Sequence, residues 1–189
     1  MVLLLVGIAL FLVIHLVPQK AELKDGLTLR FGVMGYRMFH GVVALVAVGL
    51  IYVGYFAAKG TFILWYPPIW TKHLAATLML IASILAFSGA FSGKIKQKLT
   101  SPFSIAIKTW AFAHLLANGS LSDLILFGFF LFFGVSYRIS LKRRIAAGRV
   151  TIPEGRVSQD IWAILLGLAF YAAMIFGVHE WLFGVSPLF

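Results

Sequence analysis

Long apolar runs separated by short polar or basic stretches set the pattern of this chain. Six runs have the length and continuity of membrane helices: residues 2–17, 38–58, 69–91, 102–117, 121–137 and 160–183. A helix rises 1.5 Å per residue, so about 20 apolar residues cross the hydrocarbon core. The first run stops at Pro18 and is short for a crossing, so it should stand nearly upright or tuck inward. It lacks a basic leading segment and a small-residue cleavage site, so it is expected to be a retained membrane helix rather than a signal peptide. Residues 19–36 turn polar and basic and then mixed, as an interfacial segment would. The stretch TFILWYPPIW before the third run has the Trp, Tyr and Pro content of a membrane–water boundary.

The run from Lys108 to Phe130, KTWAFAHLLANGSLSDLILFGFF, organises the rest. It reads as the end of helix four, a tight turn and the start of helix five. Trp110, His114 and Asn118 are spaced i, i+4, i+8 and form one helical stripe. A bilayer core offers His114 no hydrogen-bond partner, so the stripe should face protein or a cofactor. Asn118-Gly119 is suited to end helix four in the left-handed conformation. Ser120 and Asp123 have the spacing of a capping box, with the acid at the positive end of the helix dipole.

Composition fixes the class. Of 189 residues 61% are hydrophobic and 12% charged, and mean hydropathy is +0.99. A soluble domain of this size cannot hide so much apolar surface, so the expected fold is all-α: one polytopic membrane bundle of about six helices spanning residues 1–189. Cysteine is absent, which excludes disulfides, thiolate nucleophiles and Cys-ligated metal or haem. The net charge of +10 raises the question of nucleic acid. Its distribution answers it. Lys20, Lys24, Arg30 and Arg37 fall in loop one; Lys94, Lys96 and Lys98, with Lys108 snorkelling from helix four, in loop three; Arg138, Lys142, Arg143, Arg144, Arg149 and Arg156 in loop five. These are fourteen of the 16 Lys and Arg, all on one side of a six-span topology. The positive-inside rule therefore places those loops in the cytoplasm and both termini outside, with lipid rather than nucleic acid as the partner.

Five histidines are the side chains able to titrate near neutrality or bind a metal well. The six acids are scattered. No phosphate loop, dinucleotide fingerprint or H-E-x-x-H motif is present, and no serine has an Asp and a His at the spacing of a hydrolase. His40, His73 and His179 sit near helix ends and read most simply as interfacial residues with wet rings. His15 lies near the cytoplasmic end of helix one, with Phe11 one turn before it. For His114 the plain alternative is a buried ring bonded to Asn118, a serine or a backbone carbonyl. Two imidazoles on different helices can hold a haem b edge-on, each giving one nitrogen to iron and the other N–H to a backbone or side-chain acceptor. Arg or Lys at the cytoplasmic face would then meet the propionates. Depth alone does not select the pair, since His73 and His114 share a depth if helix four is short.

Four blocks carry a family resemblance: LFLVIHLVP around His15, LWYPPIWTKHLA around His73, GKIKQKLTSPFSIAIKTWAFAHLLANGSLSDLILFG around His114, and SYRISLKRR after helix five. In order, they span most of residues 1–145 and resemble the NnrU family of bacterial inner-membrane proteins, linked to denitrification and nitric oxide metabolism. That family is similar to the ζ-carotene isomerases of plants and cyanobacteria, which use haem b to isomerise a carotenoid double bond. The resemblance implies a multi-pass protein of the bacterial inner membrane that binds haem b. By that resemblance its iron would be held by His15 and His114; helix depth leaves His73 as the alternative ligand, and with a haem there Phe11, Trp110 and Asn118 would wall or support the pocket. It implies redox-linked chemistry with a small gaseous or apolar ligand. The alternatives are a cis–trans isomerase of a carotenoid-like polyene and a non-catalytic accessory factor, so whether the chain is an enzyme stays open. Two departures stand out. Leu16 follows His15 where relatives usually have Ser, and Ser101-Pro102 stands where they often have His-Pro.

The charge distribution makes a topology prediction. An alkaline phosphatase fused after the last residue should be active and a green fluorescent protein there dark. The same two reporters placed after Lys98 should give the reverse. Fluorescence from the C-terminal fusion would contradict the orientation.

Overall fold

The computed structural model describes residues 1–187, apart from the side chain of Ala21. It is helical almost throughout: α1 is Val2–Leu16, α2 Ala21–Ala58, α3 Ile69–Ala90, α4 Lys94–Leu99, α5 Pro102–Ala117, α6 Leu121–Ala146, α7 Val157–Ala173 and α8 His179–Phe183. A short 3-10 turn, Val17–Gln19, contains Pro18, and a π-helical turn, Met174–Val178, joins α7 to α8. Among the described residues five helical stretches are long and apolar enough to cross a membrane: Val2–Gln19, Glu22–Ala58, Ile69–Ala90, Leu121–Ala146 and Val157–Phe183. The sixth expected span, α5, has 16 residues. At 1.5 Å per residue that is roughly 24 Å, short of a hydrocarbon core of about 30 Å. The chain is a multi-pass helical membrane protein. Large apolar side chains face outward, as in Leu29 (88% exposed) and Leu45 (73%), where a bilayer replaces water as the solvent.

The structure departs from the sequence expectation at the edges of the apolar runs. The segment 19–36 is not a separate interfacial piece but the beginning of α2. Ala21, Glu22, Leu23 and Lys24 are good helix formers and nothing stops the helix there. A straight helix of 38 residues would extend roughly 57 Å, nearly twice the hydrocarbon thickness. Gly32, with φ 71° and ψ 164°, breaks it into two pieces in a conformation open only to glycine. Likewise α6 runs past Tyr137 to Ala146. The apolar run ends where the hydrocarbon ends, but Arg143 and Arg144 suit the negative end of the helix dipole and let the helix continue.

The chain divides into two compact units. The first comprises residues 1–63 and 120–126. In it α1 and α2 pack antiparallel. A Cβ on Gly7 would lie 2.7 Å from the Ile51 backbone nitrogen, and a Cβ on Gly54 would collide with the Leu4 backbone. Close approach of backbones at small residues is how membrane helices associate when lipid removes the hydrophobic drive between them.

The second unit comprises residues 64–119 and 127–189. There α3 packs against α5 and α7 through small residues, with Ala82, Ser83, Ala106, Ala111 and Ala163 all buried. Ser104 Oγ donates to the Gly134 carbonyl at 2.9 Å and ties α5 to α6. The basic loops are also built. Asp160 of α7 accepts the backbone N–H groups of Lys94 (2.9 Å) and Ile95 (3.1 Å) and so caps α4 from another helix. Between α4 and α5 the Ser101 N–H donates to the Leu99 carbonyl at 2.8 Å, closing a γ-turn centred on Thr100 (φ 68°, ψ −45°). This positive-φ form of the turn is strained, the more so for a β-branched residue.

These contacts predict opposite outcomes at two glycines. Gly54→Val should push α1 off α2 and lower stability by about 3 kcal/mol or more. Gly41→Ala, with nothing within reach of the new methyl, should leave the unfolding midpoint in detergent unchanged or raised. Equal tolerance of both substitutions would rule out backbone contact at Gly54.

Candidate functional site

The stripe predicted on α5 exists. Trp110 and His114 rings lie 5.1 Å apart, and Phe127 of α6 stacks on His114 at 4.6 Å with an interplanar angle of 27°. Trp110 also meets Phe127 and Phe130 edge-on, at 5.2 and 5.5 Å. The His114 Nδ1 lies 2.9 Å from the Trp110 carbonyl oxygen. A carbonyl only accepts, so Nδ1 carries a proton and donates it. Asn118 does not touch the ring. Its Nδ2 donates to the His114 carbonyl at 2.9 Å.

The same cassette recurs on α1. His15 Nδ1 lies 2.8 Å from the Phe11 carbonyl oxygen, the Phe11 and His15 rings stack at 4.0 Å, and Gln19 Nε2 donates to the His15 carbonyl at 3.1 Å. In both, the backbone carbonyl four positions before the histidine accepts from Nδ1, and a carboxamide four positions after it donates to the histidine carbonyl. The tautomer that leaves Nε2 as the donor atom is the one a metal or haem iron takes. Phe11 and His15 belong to the first unit and Trp110, His114 and Asn118 to the second.

Two histidines read as interfacial turn out to have ring neighbours. His40 of α2 meets His15 edge-on at 5.3 Å and lies 6.0 Å from Tyr36. The His40 Nδ1 and the Tyr36 Oη are buried without a hydrogen-bond partner among the described residues. His179 lies 6.4 Å from His114 at an interplanar angle of 28°, and its Nδ1 contacts the Val185 carbonyl at 2.8 Å. Proximity to a helix end hid both, because the partner comes from a different helix. His73 is exposed on α3, as an interfacial residue would be. Among the described residues no group of three or more His, Asp or Glu side chains converges. His15 and His114 each carry an imidazole nitrogen of the kind a haem iron takes.

The turn after the stripe is built differently from the expectation. Asn118 is extended (φ −131°, ψ 150°), and helix α5 ends without a left-handed residue. The reason is tertiary. The Gly119 carbonyl accepts the N–H groups of Leu64 (2.8 Å) and Trp65 (3.2 Å), and a Cβ at Gly119 would collide with the Trp65 carbonyl. Glycine is needed there for close approach.

The capping box is present and extended. The Ser120 N–H donates to Asp123 Oδ2 at 2.9 Å and the Asp123 N–H to Ser120 Oγ at 3.3 Å. Ser120 Oγ donates to Asp123 Oδ2 at 2.6 Å, and Tyr55 of α2 donates to Oδ1 at 2.6 Å. Asp123 is 5% exposed, so three donors replace the water its carboxylate has lost. Tyr55 was not legible as a partner, since 68 residues separate the two.

Among known proteins, the family model described as NnrU protein matches residues 3–187. No curated protein and no solved structure matches the chain.

The Asp123 network sets a graded prediction. Tyr55→Phe removes one donor to a charged group and should cost about 1–2 kcal/mol. Asp123→Ala strands several buried donors and should cost about 3 kcal/mol or more. Unfolding midpoints of the detergent-solubilised variants read both, and a neutral Tyr55→Phe would remove the hydroxyl from the network.

Proposed function

The chain belongs to the NnrU family, and from that premise we propose that it is a haem b protein of the bacterial inner membrane, serving redox chemistry of nitrogen oxides. In this reading His15 and His114 would each be a ligand of the haem iron. The observation that carries it is the repeated cassette: in each unit a histidine hydrogen-bonded through Nδ1 to the carbonyl one turn back, with a ring at that position and a carboxamide one turn ahead.

Haem b, when bound, supplies a one-electron couple and an iron that takes a small gaseous or apolar ligand. The chain's own groups do the rest. The Phe11 and Trp110 carbonyls hold each ring in one rotation and raise the basicity of its Nε2. Gln19 and Asn118 occupy the histidine carbonyls and so stiffen the helix turn that carries each ring. Phe127, stacked on His114, with Trp110 beside it, makes an apolar wall that lowers the local dielectric.

The test is optical. Protein purified from haem-replete cells should show a Soret band, sharp α and β bands on reduction, and a positive pyridine haemochrome. His114→Ala and His15→Ala should each lose the six-coordinate spectrum, while His73→Ala keeps it. Nitric oxide should shift the Soret band of the reduced protein. A colourless preparation that stays colourless with added hemin overturns the haem reading. A coloured protein unmoved by nitric oxide overturns the nitrogen-oxide role and turns attention to polyene isomerisation. Full function in the double His15→Ala, His114→Ala variant would instead identify an accessory factor.

A further inference from the structure

Two chambers lie in the second unit, on the side of the basic loops. The first, of about 390 Å³, is lined by Lys96, Thr100, Ser101 and Tyr137, with Ala86 and Phe103 among its apolar walls. The second, of about 170 Å³, is apolar and lies between α3, α5 and α7, with Ala82, Ala106, Ile107 and Phe170 on its walls and Trp110 among them. Ala86 and Phe103 line both, so the chambers adjoin.

The first chamber is furnished for an anion. Lys96 Nζ donates one hydrogen to the Gly89 carbonyl at 2.8 Å, which holds the ammonium in place, and its other N–H donors meet no protein group among the described residues. Ser101 is 6% exposed and lines the chamber. It is the N-cap of α5 yet makes no side-chain cap, so the first N–H groups of that 16-residue helix keep their positive end turned to the same region. The strained γ-turn at Thr100 is what sets Ser101 between α4 and α5. Strain of this kind persists where surrounding structure over-determines it, and it gathers at binding sites. Arg144 lies over the Tyr137 ring at 5.8 Å and adds a second cation beside the chamber. No carboxylate lines either chamber among the described residues.

We propose that the two chambers form a seat for one anionic phospholipid of the leaflet on the basic side. The phosphate is held by Lys96, the Ser101 hydroxyl and the start of α5, and one acyl chain enters along Phe103 toward Trp110. A free anion has no use for the second chamber, which offers only hydrocarbon walls. A zwitterionic lipid carries a cationic group that finds no carboxylate here. The seat does not depend on haem, so its test and that of the haem reading fail separately.

The test is native mass spectrometry of the full-length protein released from mild detergent after incubation with dioleoyl phosphatidylglycerol. One retained lipid per chain is expected, at about tenfold the retention of dioleoyl phosphatidylcholine. Lys96→Gln should reduce retention about tenfold, and Ser101→Ala should reduce it by a smaller factor. Ala106→Phe fills the chain chamber and should also release the lipid. Should that variant fail to fold, dihexanoyl phosphatidylglycerol on the native protein answers the same question, with weaker retention expected from its short chains. Equal retention of the two dioleoyl lipids, or full retention in Lys96→Gln, overturns the seat. Displacement of the lipid by millimolar inorganic phosphate, or equal retention of the short-chain lipid, would show an anion site without a chain and overturn it as well.

Discussion

Within a bilayer, a backbone N–H or C=O that finds no partner in the chain finds none at all. Most features of this structure follow from that constraint. It makes the spans helical, and it sends the irregular pieces to places where another segment completes them. The start of α4 is completed by a carboxylate from α7, the Gly119 carbonyl by two N–H groups of the Leu64–Trp65 stretch, and the start of α6 by Ser120, Asp123 and Tyr55. Where helices meet, glycine or alanine brings the backbones close enough for packing to do what the hydrophobic effect cannot do in lipid.

The same constraint explains why polar residues are few and paired. Asp123 accepts three hydrogen bonds, Asp160 two, and the ring nitrogens of His15 and His114 use the carbonyls of their own helices. Each histidine thereby has its Nδ1 committed as a donor to its own helix, which a sequence motif alone does not express.

Much of the fold was legible because apolar runs report hydrocarbon thickness directly. The positions of α1, α3, α5 and α7 and the Ser120–Asp123 cap follow from local pattern, whereas the turn at Asn118–Gly119 takes its form from the Leu64–Trp65 stretch. What the pattern missed lies beyond hydrocarbon or across sequence distance. The first turns of α2 and the last of α6 are helix in a polar medium, where hydropathy is silent. Short α4 has too few residues to show a period. The Tyr55–Asp123 and His15–His40 pairs come from separate helices, and nothing local announces them. For the candidate site, Trp110–His114–Asn118 was readable as a stripe, but the direction of each hydrogen bond was not. Asn118 serves the histidine carbonyl rather than its ring because, at i+4, the helix puts that carbonyl within reach of its amide.

The cap that α7 supplies to α4 has a bearing on biosynthesis. Lys94 and Asp160 lie 66 residues apart, and all of α5 and α6 separates them. When α4 leaves the ribosome its first N–H groups have only water or lipid headgroups to answer them. They are satisfied once the last long helix has been made and inserted. Gly155 and Arg156 close the same junction by donating to Gln97 and Ser92. The loop between α3 and α5 is therefore finished last although it is translated in the middle, and a chain halted before Asp160 reaches the membrane with that junction open.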